Sequence, residues 1–177
     1  MINLNLANVK AQEEGKPFAQ LPVGAYNCMI MGVKDDPSRQ SLALDVEVAE
    51  GDFSGYFTKS ARDGNVRYGK LFVGYANDQY NSIGKFKAFV TALEHSNPGF
   101  RWDGVNEQLF NAKRIGVVFG EREYIGNDGN VHVGVNPRYP ISLERLANND
   151  YSIPRRKTVS APAPVTIDNQ TGFTAVQ

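Results

Sequence analysis

A chain of 177 residues, 41% of them apolar, is long enough for one domain with its own core plus appendages. Lys+Arg and Asp+Glu balance at 19 each, which excludes a generally basic nucleic-acid binder; any such partner must be held by a local patch. The single cysteine, Cys28, excludes an intrachain disulfide and a cysteine-based zinc site.

The N-terminal residues 1–20 are polar, carry Glu13, Glu14 and Gly15, and read as an arm or a short edge element. Pro22, Val23 and Gly24 open a strand over 25–34, and Asp35-Asp36-Pro37-Ser38 is turn chemistry, because Asp and Ser bond the local backbone and Pro presets φ. Leu42, Leu44, Val46 and Val48 then alternate with Asp45 and Glu47, the period of a half-buried antiparallel strand. A turn at 50–52 predicts a third strand over 53–60, and 61–79 reads as irregular. The period changes at 80–95, where Ile83, Phe86, Phe89, Val90 and Leu93 fall at helical spacing behind an N-cap at Asn81 or Ser82. Asn97-Pro98-Gly99 ends that helix, and a shorter helical piece is expected around 106–110. Strands over 113–125 and 131–141 flank a hairpin loop, with Pro137 and Pro140 marking the last strand as an edge or an irregular end. From Tyr151 the periodicity is lost, and 151–177 reads as a flexible tail with a basic triplet, Arg155-Arg156-Lys157, near its base.

Three strands, an irregular stretch, a helix and a two-strand hairpin predict a mainly β chain. The order is that of a five-stranded OB-fold barrel over 21–150, with one helix between strands 3 and 4; a generic β-barrel or α+β sandwich is the alternative. No apolar run approaches the ~18 residues of a membrane helix, and the first residues lack a signal-peptide pattern. A cytoplasmic chain with no membrane partner is expected.

The sequence holds no phosphate loop and no nucleophile elbow, and its two histidines, His95 and His132, belong to no Cys/His cluster. His95 reads as a helix-end or solvent residue. Glu121 and Glu123, with Asp128, are the only carboxylates to suggest a metal-dependent nuclease; two acids on one strand read better as a solvated face. Neither an enzyme nor a cofactor is expected.

Residues 55–75 combine Lys59, Arg62, Arg67 and Lys70 with Tyr56, Phe57, Tyr68, Phe72 and Tyr75 against one acid, Asp63. Single-strand binders need this mixture, since cations track phosphates and aromatic faces stack on bases. Phe57 and Phe72 read as core, whereas Tyr68 and Tyr75, beside Gly69 and Gly74, read as exposed. The hairpin adds Arg114, Arg122, Tyr124, His132 and Arg138. On period two, Arg114, Gly116, Val118, Gly120, Arg122 and Tyr124 share a face, where small residues between cations would leave a shallow groove; a plain solvent face is the alternative. Trp102 reads as closing a barrel end.

Several segments, "LPVGAYNCMI", "LALDVEVAEGDFSGYF", "IGKFKAFVTALE", "AKRIGVVFGEREY" and "NPRYPISLERL", follow one another in an order that resembles phage-encoded OB-fold single-stranded-DNA-binding proteins, over roughly 20–150. The resemblance implies an OB fold and weakly sequence-specific binding of single-stranded DNA during replication or recombination. It also implies self-association such as a homodimer, replication or recombination proteins as further partners, and a host-cytoplasm location. Members of that family commonly end in an acidic, aromatic tip; in "DNQTGFTAVQ" Asp168 is the only acid and Phe173 the only aromatic, a departure from that pattern. The competing expectation is an OB-like interaction module that recruits such proteins without touching nucleic acid.

Overall fold

The computed structural model describes residues 19–61, 64, 66–75 and 82–159. The arm up to residue 18 and the segment from residue 160 onward lie outside the described residues, as do Arg62 and the expected cap Asn81. The chain is mainly β. Five antiparallel strands form one sheet: β1 (Gly24–Asp36), β2 (Ser41–Val48), β3 (Gly69–Gly74), β4 (Arg114–Ile125) and β5 (Val131–Ile141), in the order β3-β2-β1-β4-β5. Among the described residues three α-helices accompany them: α1 (Tyr56–Lys59), α2 (Ser82–Ser96) and α3 (Leu143–Ala147). A 3-10 turn at Glu107–Phe110 matches the expected short helical piece, with Asn106 capping Gln108 N–H at 3.0 Å.

β1 is shared between two partners. Its first half pairs with β4 (Gly24↔Phe119 to Met29↔Arg114) and its second half with β2 (Cys28↔Val48 to Asp36↔Ser41). A bulge at Met31 separates Ile30 from Gly32 and bends the strand. The sheet curls, and β3 comes against β5 without ladder hydrogen bonds between them. The sheet is therefore not closed into a barrel.

The alternation in β2 is as expected on one face: Leu42, Leu44, Val46 and Val48 are buried and join Ile30, Leu71, Phe89, Leu93, Phe110 and Ile115 in one core. α2 lies over this core against β3, β4 and β5. Of its expected apolar face, Ile83 alone stays exposed. Asn97 fastens the end of α2. Its Nδ2 donates to Leu93 O and Arg114 O, both at 2.7 Å, and its Oδ1 accepts Arg114 N–H at 2.9 Å. Trp102 packs on Phe86 and Phe110, with centroids 5.4 Å from each. Among the described residues no helix is long and apolar enough to cross a membrane.

The expected strand over 53–60 is replaced by a turn and α1, and the third strand falls instead inside the supposedly irregular 61–79. Glu47 explains the change. Expected on the solvent face of β2, it is 7% exposed, and its carboxylate receives Val48 N–H, Phe57 N–H, Thr58 N–H and the Thr58 hydroxyl at 2.7–2.9 Å. A carboxylate at the start of a helix satisfies donors that have no partner within the helix. Gly55, at the N-cap, has no side chain to do so.

Gly69 sets how closely β3 can approach β5. A Cβ there would stand 2.8 Å from the Phe57 ring and 3.1 Å from Pro137 Cγ. Gly69→Ala is expected to cost about 1–3 kcal/mol by overpacking, read as a lowered midpoint in thermal unfolding.

Candidate nucleic-acid interface

Where β3 faces the β4–β5 hairpin, the sheet leaves two adjoining grooves of about 580 Å³ and 300 Å³. They share Lys70, Arg122, Asn136 and Pro137 and so form one continuous depression. The larger part is walled by Arg67, Tyr68, Tyr56 and Phe57 on one side and Tyr124 and Val135 on the other; the smaller adds Phe72, Arg138 and Lys157. Its Lys and Arg residues are Arg67, Lys70, Arg122, Arg138 and Lys157, and among the described residues no Asp or Glu lines it.

Local structure presents each of these side chains. In β3, Leu71 and Val73 point into the core, so Lys70 and Phe72 point out. Phe72, expected as core, is 53% exposed for this reason. Lys70 pairs with Asp45, its register partner on β2. Phe57, also expected as core, is half-buried and stacks on Phe119 with centroids 6.2 Å apart, while one side of it reaches the groove. Arg122 is exposed on β4 and makes no ion pair among the described residues; the same holds for Arg67. Arg138 is the extra residue of a bulge in β5, opposite Val118 and Phe119, and donates to Glu121 O at 3.3 Å. Tyr124 stacks on His132 (5.6 Å, 26° between planes) at the hairpin end. His132 and Asn130 hold the Asp128 carboxyl well below the usual carboxylate range through hydrogen bonds that order the loop.

Of the residues expected to bind nucleic acid, Arg67, Tyr68, Lys70, Arg122, Tyr124 and Arg138 meet at this groove, and three described ones lie elsewhere. Lys59 donates to Ser54 O at 2.5 Å. Tyr75, expected to be exposed, packs edge-on to Phe86 and donates its hydroxyl to Asp35 at 2.6 Å, a bond that pushes its phenol pKa up. Arg114 pairs with Glu50 at 3.2 Å at the opposite end of β4. Arg62 lies outside the described residues.

The shallow trough expected along Gly116, Val118 and Gly120 is filled. A Cβ on Gly116 would meet Ile141 Cγ1 at 2.7 Å, and one on Gly120 would meet Pro154 Cγ at 3.0 Å. Pro154 belongs to residues 151–159, the first part of the expected tail, which lie along β4 and bring Lys157 to the groove. The basic triplet was the visible signal for Lys157. Phe72 was visible among the aromatics of 55–75 but read as core, and Asn136 carried no signal stronger than its place in a strand.

Glu121, Glu123 and Asp128 do not converge. Glu121 pairs with Arg156 at 2.7 Å, Glu123 accepts Val159 N–H at 3.3 Å, and Asp128 bonds His132 at 2.9 Å. Among the described residues no group of three or more His, Cys, Asp or Glu side chains is disposed to hold a metal ion. No protein-family model matches this chain, and no curated protein sequence matches it.

Proposed function

We propose that this chain binds single-stranded DNA with little sequence specificity and protects it during phage-type replication or recombination, by binding and without catalysis. One observation carries the reading. In a chain whose charges balance at 19 against 19, the groove lining gathers Arg67, Lys70, Arg122, Arg138 and Lys157, with no acid beside them among the described residues. Faces of Tyr56, Phe57, Tyr68, Phe72 and Tyr124 lie between these cations. Cations meet phosphates whatever the sequence, and each base stacked on an aromatic face contributes about 1–3 kcal/mol with little regard to its identity. The strand order, with α2 between β3 and β4, supports an OB-type barrel opened between β3 and β5, with the groove along the opening.

The test is a titration of fluorescently labelled oligothymidylate, single-stranded RNA and duplex DNA at several salt concentrations. Trp102 is packed on Phe86 and Phe110 and does not line the groove, so the label belongs on the nucleic acid. Five phosphate contacts predict a log–log salt slope of about −3.5 for single strands. Binding that ignored salt, or that favoured duplex, would refute the proposal.

A second reading, an interaction module for replication or recombination proteins, draws on the hairpin end, where Tyr124, Ile125, Val131 and Val133 are exposed together. Capture of such a protein by a chain that shifts no single-stranded oligonucleotide would favour it.

A further inference from the structure

Residues 151–159 run back along β4 and are held there by several weak contacts. The Tyr139 hydroxyl donates to Ser152 O at 2.6 Å and accepts Ser152 N–H at 3.2 Å. Pro154 covers Gly120. Lys157 forms a parallel bridge with Arg122: its N–H donates to Glu121 O at 3.1 Å, and its carbonyl accepts Glu123 N–H at 2.8 Å. β1 pairs with β4 only as far as Phe119, so this bridge occupies the strand edge that β1 leaves open. The Glu121 carboxylate clamps the segment by accepting from Arg156 Nε at 2.7 Å.

We propose that this segment is a detachable strap, and that Glu121 is a positioning residue whose hold on it raises the affinity of the groove for single-stranded DNA. The inference rests on the function proposed above. The docked strap sets Lys157 in the groove beside Lys70 and Arg138. Detachment withdraws that cation, and it also strips Glu121 and Glu123 of their partners Arg156 and the Val159 N–H, leaving two bare carboxylates at the edge of the phosphate path. An exposed ion pair contributes little by itself, so the strap is held only by the sum of its contacts and can be released. Because docking and DNA binding favour one another, each strengthens the other by the same factor.

The sign of one substitution separates this proposal from simple electrostatics. Glu121→Gln removes an acid next to a cationic groove, and charge counting alone predicts tighter binding. The strap predicts binding several-fold weaker, with a salt slope shallower by about 0.7 because one phosphate contact is lost. Lys157→Gln should lose the same contact. Trypsin supplies a readout without DNA: cleavage after Arg155, Arg156 and Lys157 should quicken in Glu121→Gln and stay slow in Lys157→Gln. Pro154→Gly loosens the strap without changing charge, and it serves as the second variant should Glu121→Gln fold poorly; it should also bind more weakly and be cut faster. Tighter or unchanged binding, or unchanged cleavage, in folded Glu121→Gln or Pro154→Gly overturns the proposal and leaves the groove reading intact. A wild-type chain that binds no oligothymidylate overturns the groove reading, and the coupling with it.

Discussion

Arg122→Glu is expected to weaken binding of single-stranded DNA by roughly tenfold or more near 0.1 M salt, a loss of about 1.4 kcal/mol or greater. Arg122 belongs to both parts of the groove, is exposed and has no ion-pair partner among the described residues, so its charge is available to a phosphate. Reversal does more than delete that contact. A glutamate there joins Lys70, Arg138 and Lys157, the other cations of the smaller part, and would draw them into internal pairs. The salt slope should fall by at least about 0.7, the share of one phosphate on a single strand. Arg101→Glu makes the same change in net charge. Arg101 lines a separate depression at the end of α2, and screening beyond about 10 Å at 0.1 M salt should leave binding nearly unchanged there. Equal losses in the two variants would mean that net charge, and not this groove, governs binding.

Glu47→Ala should produce the largest loss of stability, about 3 kcal/mol, because it leaves buried donors at the start of α1 without an acceptor. For a chain of this size that corresponds to a fall of about 6–12 °C in the unfolding midpoint. Glu47→Gln keeps one accepting oxygen but turns the other into an amide NH2 facing donors, so most of the loss should remain. α1 also carries Tyr56 and Phe57 to the groove wall. DNA binding should therefore weaken in both variants well below the temperature at which they unfold. An unchanged midpoint in Glu47→Ala would show that water replaces the carboxylate without loss.

Glu47 also marks where the sequence stops being legible. β2, α2 and the β4–β5 hairpin announce themselves, because the apolar period of β2 and α2 and the turn residues between β4 and β5 survive in the order of residues. Residues 53–60 do not. Their aromatic content suits a strand, and they turn into a helix on account of a carboxylate ten residues before Phe57. β3 was hidden by its glycines and by two competing phases: in "GKLFVG" either Leu71 and Val73 or Phe72 could face the core, and the pairing of Lys70 with Asp45 belongs to the first.

The same reasons apply to the groove. Six of the ten expected binding residues meet there, since a run of cations and aromatics is visible as composition. Which of them share a surface depends on the curl of β1, which composition does not record. Tyr75 and Arg114 carry the right chemistry at the wrong ends of β3 and β4. The docking of 151–159 rests on main-chain bonds and an ion pair with Glu121, so a segment poor in apolar residues gave no periodic sign of it.

The division of β1 between β2 and β4 has a consequence in time. The groove draws its cations from 67–70, from 122–138 and from residue 157, stretches that meet only across the opening between β3 and β5. A chain emerging from the ribosome with β1, β2 and β3 complete owns one bank of the groove and nothing opposite it. Contacts this distant in sequence form late, since the intervening loop must close before they repay it. The nascent protein therefore has both banks of the groove only after β5 has been made, and the last of its cations only after residue 157 has found β4.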